Sequence, residues 1–79
     1  MEKTDRIALN KRRYEVYAQY RSKFGYTDYY ISQECGIPKN TIYDWAKGIS
    51  FPNAATLLKI CKLLDMPIEE VVNVDGGKE

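Results

Sequence analysis

The chain has 79 residues, of which 44% are hydrophobic, and its twelve Lys and Arg against eleven Asp and Glu give a net charge of +1. This length suits one small domain, and the hydrophobic share is enough for a core, which argues against a disordered chain. No apolar run approaches the roughly 18 residues of a membrane span, and the first residues lack the apolar segment of a secretory signal. We therefore expect one cytoplasmic domain with no membrane contact.

Most of the residue types that carry catalysis are missing. The chain has no histidine, which removes the usual general base and the commonest metal ligand. It also has no glycine-rich phosphate loop. Cys35 and Cys61 form no Cys-x-x-Cys pair and lie in apolar surroundings, so we expect two reduced core thiols. These absences predict a protein that is not an enzyme and carries no cofactor or metal.

Two starts for the first helix fit residues 1–10. Thr4 and Asp5 can cap a helix that runs without interruption to Lys23, whereas Asn10 can cap a shorter helix preceded by a flexible arm. The sequence does not decide between them. Apolar positions then recur at three- and four-residue spacings, which predicts that one helix face packs on a core. They are Tyr14, Val16, Tyr17, Tyr20 and Phe24.

A sharp break separates two short helical segments between residues 27 and 48. Thr27 is a good N-cap, and Asp28 suits the positive end of the helix dipole. Gly36 can adopt a positive φ, and Pro38 lacks an N–H, so it fits only the first turn of a new helix. One helix therefore ends and another begins within about four residues, which is the spacing of a helix-turn-helix.

The second of these segments is predicted to run from about Lys39 to Lys47. Ile42 and Trp45 are three residues apart and indicate a buried face. We interpret Trp45 as a core anchor, because aromatic residues at helical spacing more often pack than stack on bases. The opposite face carries Lys39, Asn40, Tyr43, Asp44 and Lys47.

Two further helices complete the predicted fold. Asn53 caps a helix over residues 54–64, whose buried stripe is Leu57, Ile60, Cys61 and Leu64. A short fifth helix begins at Ile68, with Val71 and Val72 facing inward. The surface formed by Leu58, Leu63, Ile68 and Val72 fits either a core or part of a dimer patch.

The patterns together predict an all-α, compact five-helix domain, because no alternating strand pattern or hairpin turn competes with them. Residues 11–73 form the domain. Residues 1–10 are an arm or the start of the first helix, and residues 74–79 form a frayed tail.

From Tyr14 to Val72 the chain resembles the phage-repressor and Cro-like helix-turn-helix domains of the XRE family. The resemblance lies in the ordered spacing of several motifs. They are Gly25-x-Thr27, Ile31, Gly36-Ile37, Thr41-Ile42, Trp45-x-x-Gly48, Pro52, the Leu57, Ile60 and Leu64 stripe, and the segment from Met66 to Val71.

The resemblance implies that the helix from Lys39 to Lys47 enters the major groove of double-stranded DNA. The base-contacting residues it implies are Lys39, Asn40, Tyr43 and Asp44. Lysine can donate to guanine, asparagine can pair with adenine, and aspartate can accept from cytosine. The phosphate-contacting residues it implies are Arg21, Lys23, Thr27, Asp28, Thr41 and Lys47, helped by the N-terminus of the second helix.

Three positions depart from the family pattern. Asp28 stands where the family often has a glutamine that touches phosphate, and its charge opposes that contact. Ala46 stands where the family often has an acidic partner for the first-helix arginine, so Arg21 lacks that partner and is expected to be freer to reach phosphate. Pro38 replaces the usual Ser or Thr cap, so we expect that cap to be supplied otherwise.

Two functions from different classes fit the sequence. The first is a sequence-specific transcriptional regulator that binds a near-palindromic DNA operator as a homodimer. The second is a non-enzymatic protein-interaction module on the same scaffold, antitoxin-like or a phage anti-regulator, with weak or no DNA binding. Asp28, Asp44 and the near-neutral charge favour the second.

Overall fold

The computed structural model describes residues 3–73, with side chains from residue 5 onward. It contains five helices and, within the described range, no strand, which confirms the predicted all-α domain. The tail predicted to be frayed, residues 74–79, lies outside the described residues. The helices are α1 (Lys3–Lys23), α2 (Asp28–Cys35), α3 (Lys39–Ala46), α4 (Ala54–Leu64) and α5 (Ile68–Val72).

The long form of the first helix is the one observed. α1 is continuous from Lys3 to Lys23, so Asn10 lies inside the helix and does not cap it. The Asn10 side chain is buried and its amide Nδ2 donates to the carbonyl oxygen of Gly48 at 3.1 Å. Phe24 departs from the predicted core face: it lies beyond the helix end, is 48% exposed and stacks on Tyr26.

The predicted helix boundaries of α2 and α4 are confirmed by their caps. Thr27 accepts the Tyr30 N–H through Oγ1 at 3.1 Å, and Asn53 accepts the Thr56 N–H through Oδ1 at 2.9 Å. Gly36 ends α2 with a φ of 65°. These local hydrogen bonds satisfy first-turn donors that would otherwise lack intrahelical partners.

The predicted core residues are brought together as expected. α1 packs on α3 and α5, and α2 packs on α3 and α4. Leu58 is half exposed on the outer side of α4, whereas Leu63, Ile68 and Val72 pack partly against the core. The core comprises Tyr17, Ile31, Cys35, Ile42, Trp45, Leu57, Ile60, Cys61, Leu64, Met66 and Val71.

Tyr17 joins α1 to both helices of the helix-turn-helix. Its ring is fully buried, and its centroid lies 4.9 Å from that of Trp45 on α3. Its hydroxyl donates to Oδ1 of Asp28, the first residue of α2, at 2.8 Å. Tyr14 reinforces both contacts, with its ring edge-on to Trp45 and its hydroxyl 2.7 Å from Oδ2 of Asp28. The three helices therefore meet at one aromatic cluster.

Arg21 lacks the acidic partner that the family often has at the Ala46 position, but Asp28 supplies another. Arg21 Nε lies 3.0 Å from Oδ1 of Asp28, close enough for an ion pair although not aligned as a hydrogen bond. Its Nη1 also donates to the Tyr26 carbonyl oxygen at 2.9 Å. The Asp28 carboxylate thus receives two tyrosine hydroxyls and one guanidinium, and its charge is compensated within the domain.

Gly48 brings the end of α3 into direct contact with α1. A Cβ on Gly48 would lie 2.7 Å from both Cγ2 and the carbonyl oxygen of Ile7, and 3.2 Å from Cγ of Lys11. Gly48 also has a φ of 82°. Both the left-handed backbone and the close approach therefore require glycine at this position.

We expect Gly48→Ala to destabilise the fold more than Gly36→Ala. Both glycines have positive φ, but a Cβ on Gly36 would meet nothing within 4 Å. Gly36→Ala measures the backbone strain alone, so the excess cost of Gly48→Ala, about 1–3 kcal/mol, measures the clash with α1. Urea unfolding of the two variants gives this difference. Equal losses of stability would show that α1 does not pack closely on Gly48.

The tyrosine cluster predicts a loss of stability at high pH. Burial and the Asp28 carboxylate raise the pKa of Tyr14 to about 12, and they raise the pKa of Tyr17 as well. The folded state therefore holds protons that the unfolded state releases above pH about 10. The free energy of unfolding should fall from that pH upward, because each such tyrosine adds a slope of up to about 1.4 kcal/mol per pH unit.

Tyr17→Phe should flatten this dependence and lower stability by about 2 kcal/mol at neutral pH, because Asp28 loses one donor. Chemical unfolding between neutral pH and pH 12 measures both effects. The control is Tyr43→Phe, which also removes one phenol but from the exposed face of α3. The same pH slope in both variants would contradict the assignment to the buried cluster.

Candidate nucleic-acid interface

One face of α3 is free of packing and carries polar side chains. Ile42 and Trp45 are fully buried on the opposite face. Of the four predicted base-contacting residues, Lys39, Asn40 and Tyr43 are exposed, and Asp44 is half-buried. The structure thus brings the predicted base-contacting set onto a helix whose other side is locked into the core.

The N-terminus of α3 has no side-chain cap. Pro38 occupies the cap position with φ −65° and ψ 144°, and its side chain makes no capping hydrogen bond. A backbone group accepts one first-turn donor instead: the Thr41 N–H donates to the Pro38 carbonyl oxygen at 3.1 Å. An acceptor outside the domain can approach the first two N–H groups of α3, those of Lys39 and Asn40, whose side chains are exposed.

The start of α2 gathers three of the predicted phosphate-contacting residues. Thr27 is exposed, and its Oγ1 caps the helix. Arg21 and Asp28 are half-buried and bound to each other, so their charges compensate. Lys23 is exposed nearby on α1, with Nζ 4.5 Å from the centroid of the Tyr20 ring.

The remaining two predicted phosphate-contacting residues lie on α3. Thr41 is half-buried in the first turns of the helix, and Lys47 is exposed at its C-cap. Lys47 is followed directly by Gly48, the point of contact with α1. The predicted residues thus lie in two groups, one at the start of α2 and one along α3.

Tyr29 is an exposed residue on the same side that the sequence patterns missed. Its ring is 55% exposed, and the Lys39 Nζ lies 5.8 Å from its centroid. This distance fits a cation–π contact that orients the lysine. The helical phase carried the signal: Tyr29 precedes the buried Ile31 by two residues, which places it about 200° around α2 and therefore outward.

Other kinds of site find little support in the described part of the chain. Cys35 and Cys61 are buried and unbonded, as predicted, and burial raises the pKa of both thiols. Residues 3–73 contain no group of three or more Cys, Asp or Glu side chains placed to hold a metal ion. Over the same range, no helix has the length and apolarity needed to cross a membrane.

Comparison with known proteins agrees with this geometry. A family described as helix-turn-helix matches residues 18–71, from the last turns of α1 into α5. The uncharacterized HTH-type transcriptional regulator YgzD of Bacillus subtilis (strain 168) is 33% identical over 51 residues, which are 65% of this chain and 77% of that protein. No solved structure matches the chain significantly. The family match spans well over half of the chain and includes the whole of α2 and α3, so this chain belongs to the helix-turn-helix family of the phage-repressor and Cro-like (XRE) type.

Proposed function

We propose that this protein is a transcriptional regulator that binds a specific sequence of double-stranded DNA through α3 in the major groove. The observation that carries the proposal is the two-sided character of α3. Ile42 and Trp45 fix its inner face in the core, while Lys39, Asn40 and Tyr43 remain exposed on the outer face. A rigid helix that presents donors and acceptors is what base recognition in the major groove requires.

The exposed α3 side chains suit different bases. Lys39 can donate to O6 and N7 of guanine, and Asn40 can pair with N6 and N7 of adenine. Tyr43 offers a ring edge to a thymine methyl group or the backbone. Asp44 can accept from cytosine N4, although it is only half exposed. We therefore propose Lys39 and Asn40 as the main determinants of sequence preference.

Phosphate contacts are proposed for exposed or helix-terminal groups. Lys23 and Lys47 supply positive charge, and Thr27 and Thr41 supply hydroxyls. The Arg21–Asp28 pair carries no net charge, so its proposed role is to orient the start of α2, whose backbone N–H groups then face a phosphate. This arrangement removes the repulsion that a free aspartate at the first position of α2 would cause.

We also propose that the regulator acts as a homodimer on a near-palindrome. Two recognition helices related by a two-fold axis read half-sites one DNA turn apart, about 34 Å. Leu58 is the exposed member of the apolar surface on α4 and α5, which makes it a candidate for the contact between copies.

The protein-interaction module is less well supported than DNA binding. Asp28 is one of the sequence features in its favour, and that carboxylate is engaged by Tyr14, Tyr17 and Arg21. It therefore presents no free negative charge at the start of α2. Asp44 is the acidic residue that remains at the proposed interface, on the half-buried flank of α3.

Binding to DNA from the region upstream of the protein's own gene should weaken steeply as salt rises. Each phosphate contact releases counterions, so the logarithm of the association constant falls by about 0.9 per contact for each unit of log salt concentration. Fluorescence anisotropy with a labelled duplex over a salt series measures the slope. If the folded protein does not change the anisotropy of the duplex at low salt, the proposal is refuted.

Replacing Lys39 and Asn40 together by Ala should reduce the preference for the operator over a mixed-sequence duplex. Each base-contacting pair contributes about 1–3 kcal/mol of discrimination, so the ratio of the two affinities should fall by at least about tenfold. Lys47→Ala is the contrasting variant, because removal of a phosphate-binding charge should weaken the binding of both duplexes alike. If both variants lowered the two affinities equally, α3 would not be reading bases.

A further inference from the structure

The part of α1 before residue 18 precedes the stretch that the family match covers. Among the described side chains of this segment, Arg6, Lys11 and Arg12 are exposed. Arg12 already takes part in an interaction within the domain. Arg13 faces elsewhere, with its Nη2 donating to the Val72 carbonyl oxygen and its guanidinium over Phe51. Arg6 and Lys11 are thus the exposed cations of this segment to which no role has yet been assigned.

Three contacts place Arg6 and Lys11 beside the C-terminal end of α3. Asn10, adjacent to Lys11, donates to the Gly48 carbonyl oxygen. Lys11 Cγ lies against the open side of Gly48, where a Cβ would approach it to 3.2 Å. Arg6 lines a surface cavity of about 280 Å³ that is also lined by Gly48 and Ile49. Both cations therefore border the residue that follows Lys47.

We propose that Arg6, Lys11 and Lys47 form a basic patch that binds the phosphate backbone of DNA next to the recognition helix. This inference rests on the proposed function, because the patch can contact DNA only if α3 binds the duplex on this side of the domain. It adds a contact surface made by the part of α1 that precedes the stretch covered by the family match.

The dimensions of the duplex support this assignment. α3 has eight residues and is therefore about 12 Å long, similar to the width of the major groove, about 12 Å. The phosphates of the two strands border the groove, so backbone lies close to both ends of a helix seated in it. In the proposed complex, the start of α2 contacts the backbone at one side of the groove, and the basic patch contacts the backbone at the other side.

Long, exposed cationic side chains are available to phosphate on this side of the domain. The three cations of the patch are all exposed and have long side chains. Among the described side chains, the carboxylates within four residues of them are the exposed Asp5 and Glu15 and the half-buried Asp44, whose shorter side chains reach less far from the backbone. Long Lys and Arg side chains neutralise phosphates without reading bases. The patch should therefore raise affinity for every sequence and leave sequence preference unchanged.

The test is the double variant Arg6→Gln with Lys11→Gln in the full chain, assayed on a mixed-sequence duplex over a salt series. Removing two phosphate-binding charges should reduce the magnitude of the salt slope by about 2 and weaken binding at low salt. Glutamine keeps the Cγ that packs on Gly48, and circular dichroism checks the fold. If the double variant unfolds, the single variant Arg6→Gln is tested instead, and the magnitude of its salt slope should be smaller by about 1.

The matched control is Lys59→Gln with Lys62→Gln, which removes the same charge from α4, at a groove on the side of Gly36. A slope change equal to that of the control would overturn the patch, because it would reflect net charge alone. A wild-type protein without salt-dependent DNA binding would instead refute the proposed function. The two failures are therefore distinguishable.

Discussion

The position of the helix-turn-helix depends on Tyr17. Its buried ring packs on Trp45 of α3, and its hydroxyl bonds to Asp28 at the start of α2. One side chain of α1 therefore restrains both helices of the motif at once. Because a buried hydroxyl must keep its acceptor, the cluster tolerates few relative movements of the three helices. These contacts of Tyr17 therefore also fix the direction in which the outer face of α3 points.

Two departures from the family pattern compensate for each other. The lack of an acidic residue at Ala46 removes a partner from Arg21, and the presence of Asp28 on α2 restores one. Considered separately, the aspartate opposes a phosphate contact, whereas the missing partner at Ala46 leaves Arg21 freer to reach phosphate. Together they form an internal ion pair whose carboxylate also accepts two tyrosine hydroxyls, so its negative charge is compensated within the domain.

The helix boundaries, the caps and most of the core could be predicted, because they depend on neighbours within a few residues. Thr27, Gly36 and Asn53 act through the turn that contains them. The prediction for Phe24 was wrong because the helical pattern holds only as far as Lys23, where α1 ends. The contact of Tyr29 with Lys39 was not predicted, because helical phase indicates only that Tyr29 faces outward and the contact depends on how α2 packs on α3.

The sequence by itself determined the five helices, the break between α2 and α3, and the separation of Ile42 and Trp45 from Lys39 and Asn40 on α3. Local propensity and helical periodicity suffice for these. Only the tertiary structure decided the length and place of α1, the pairing of Arg21 with Asp28, and the approach of Lys11 to Gly48. Each joins groups distant in the chain or on different helices, and no local pattern specifies which groups meet.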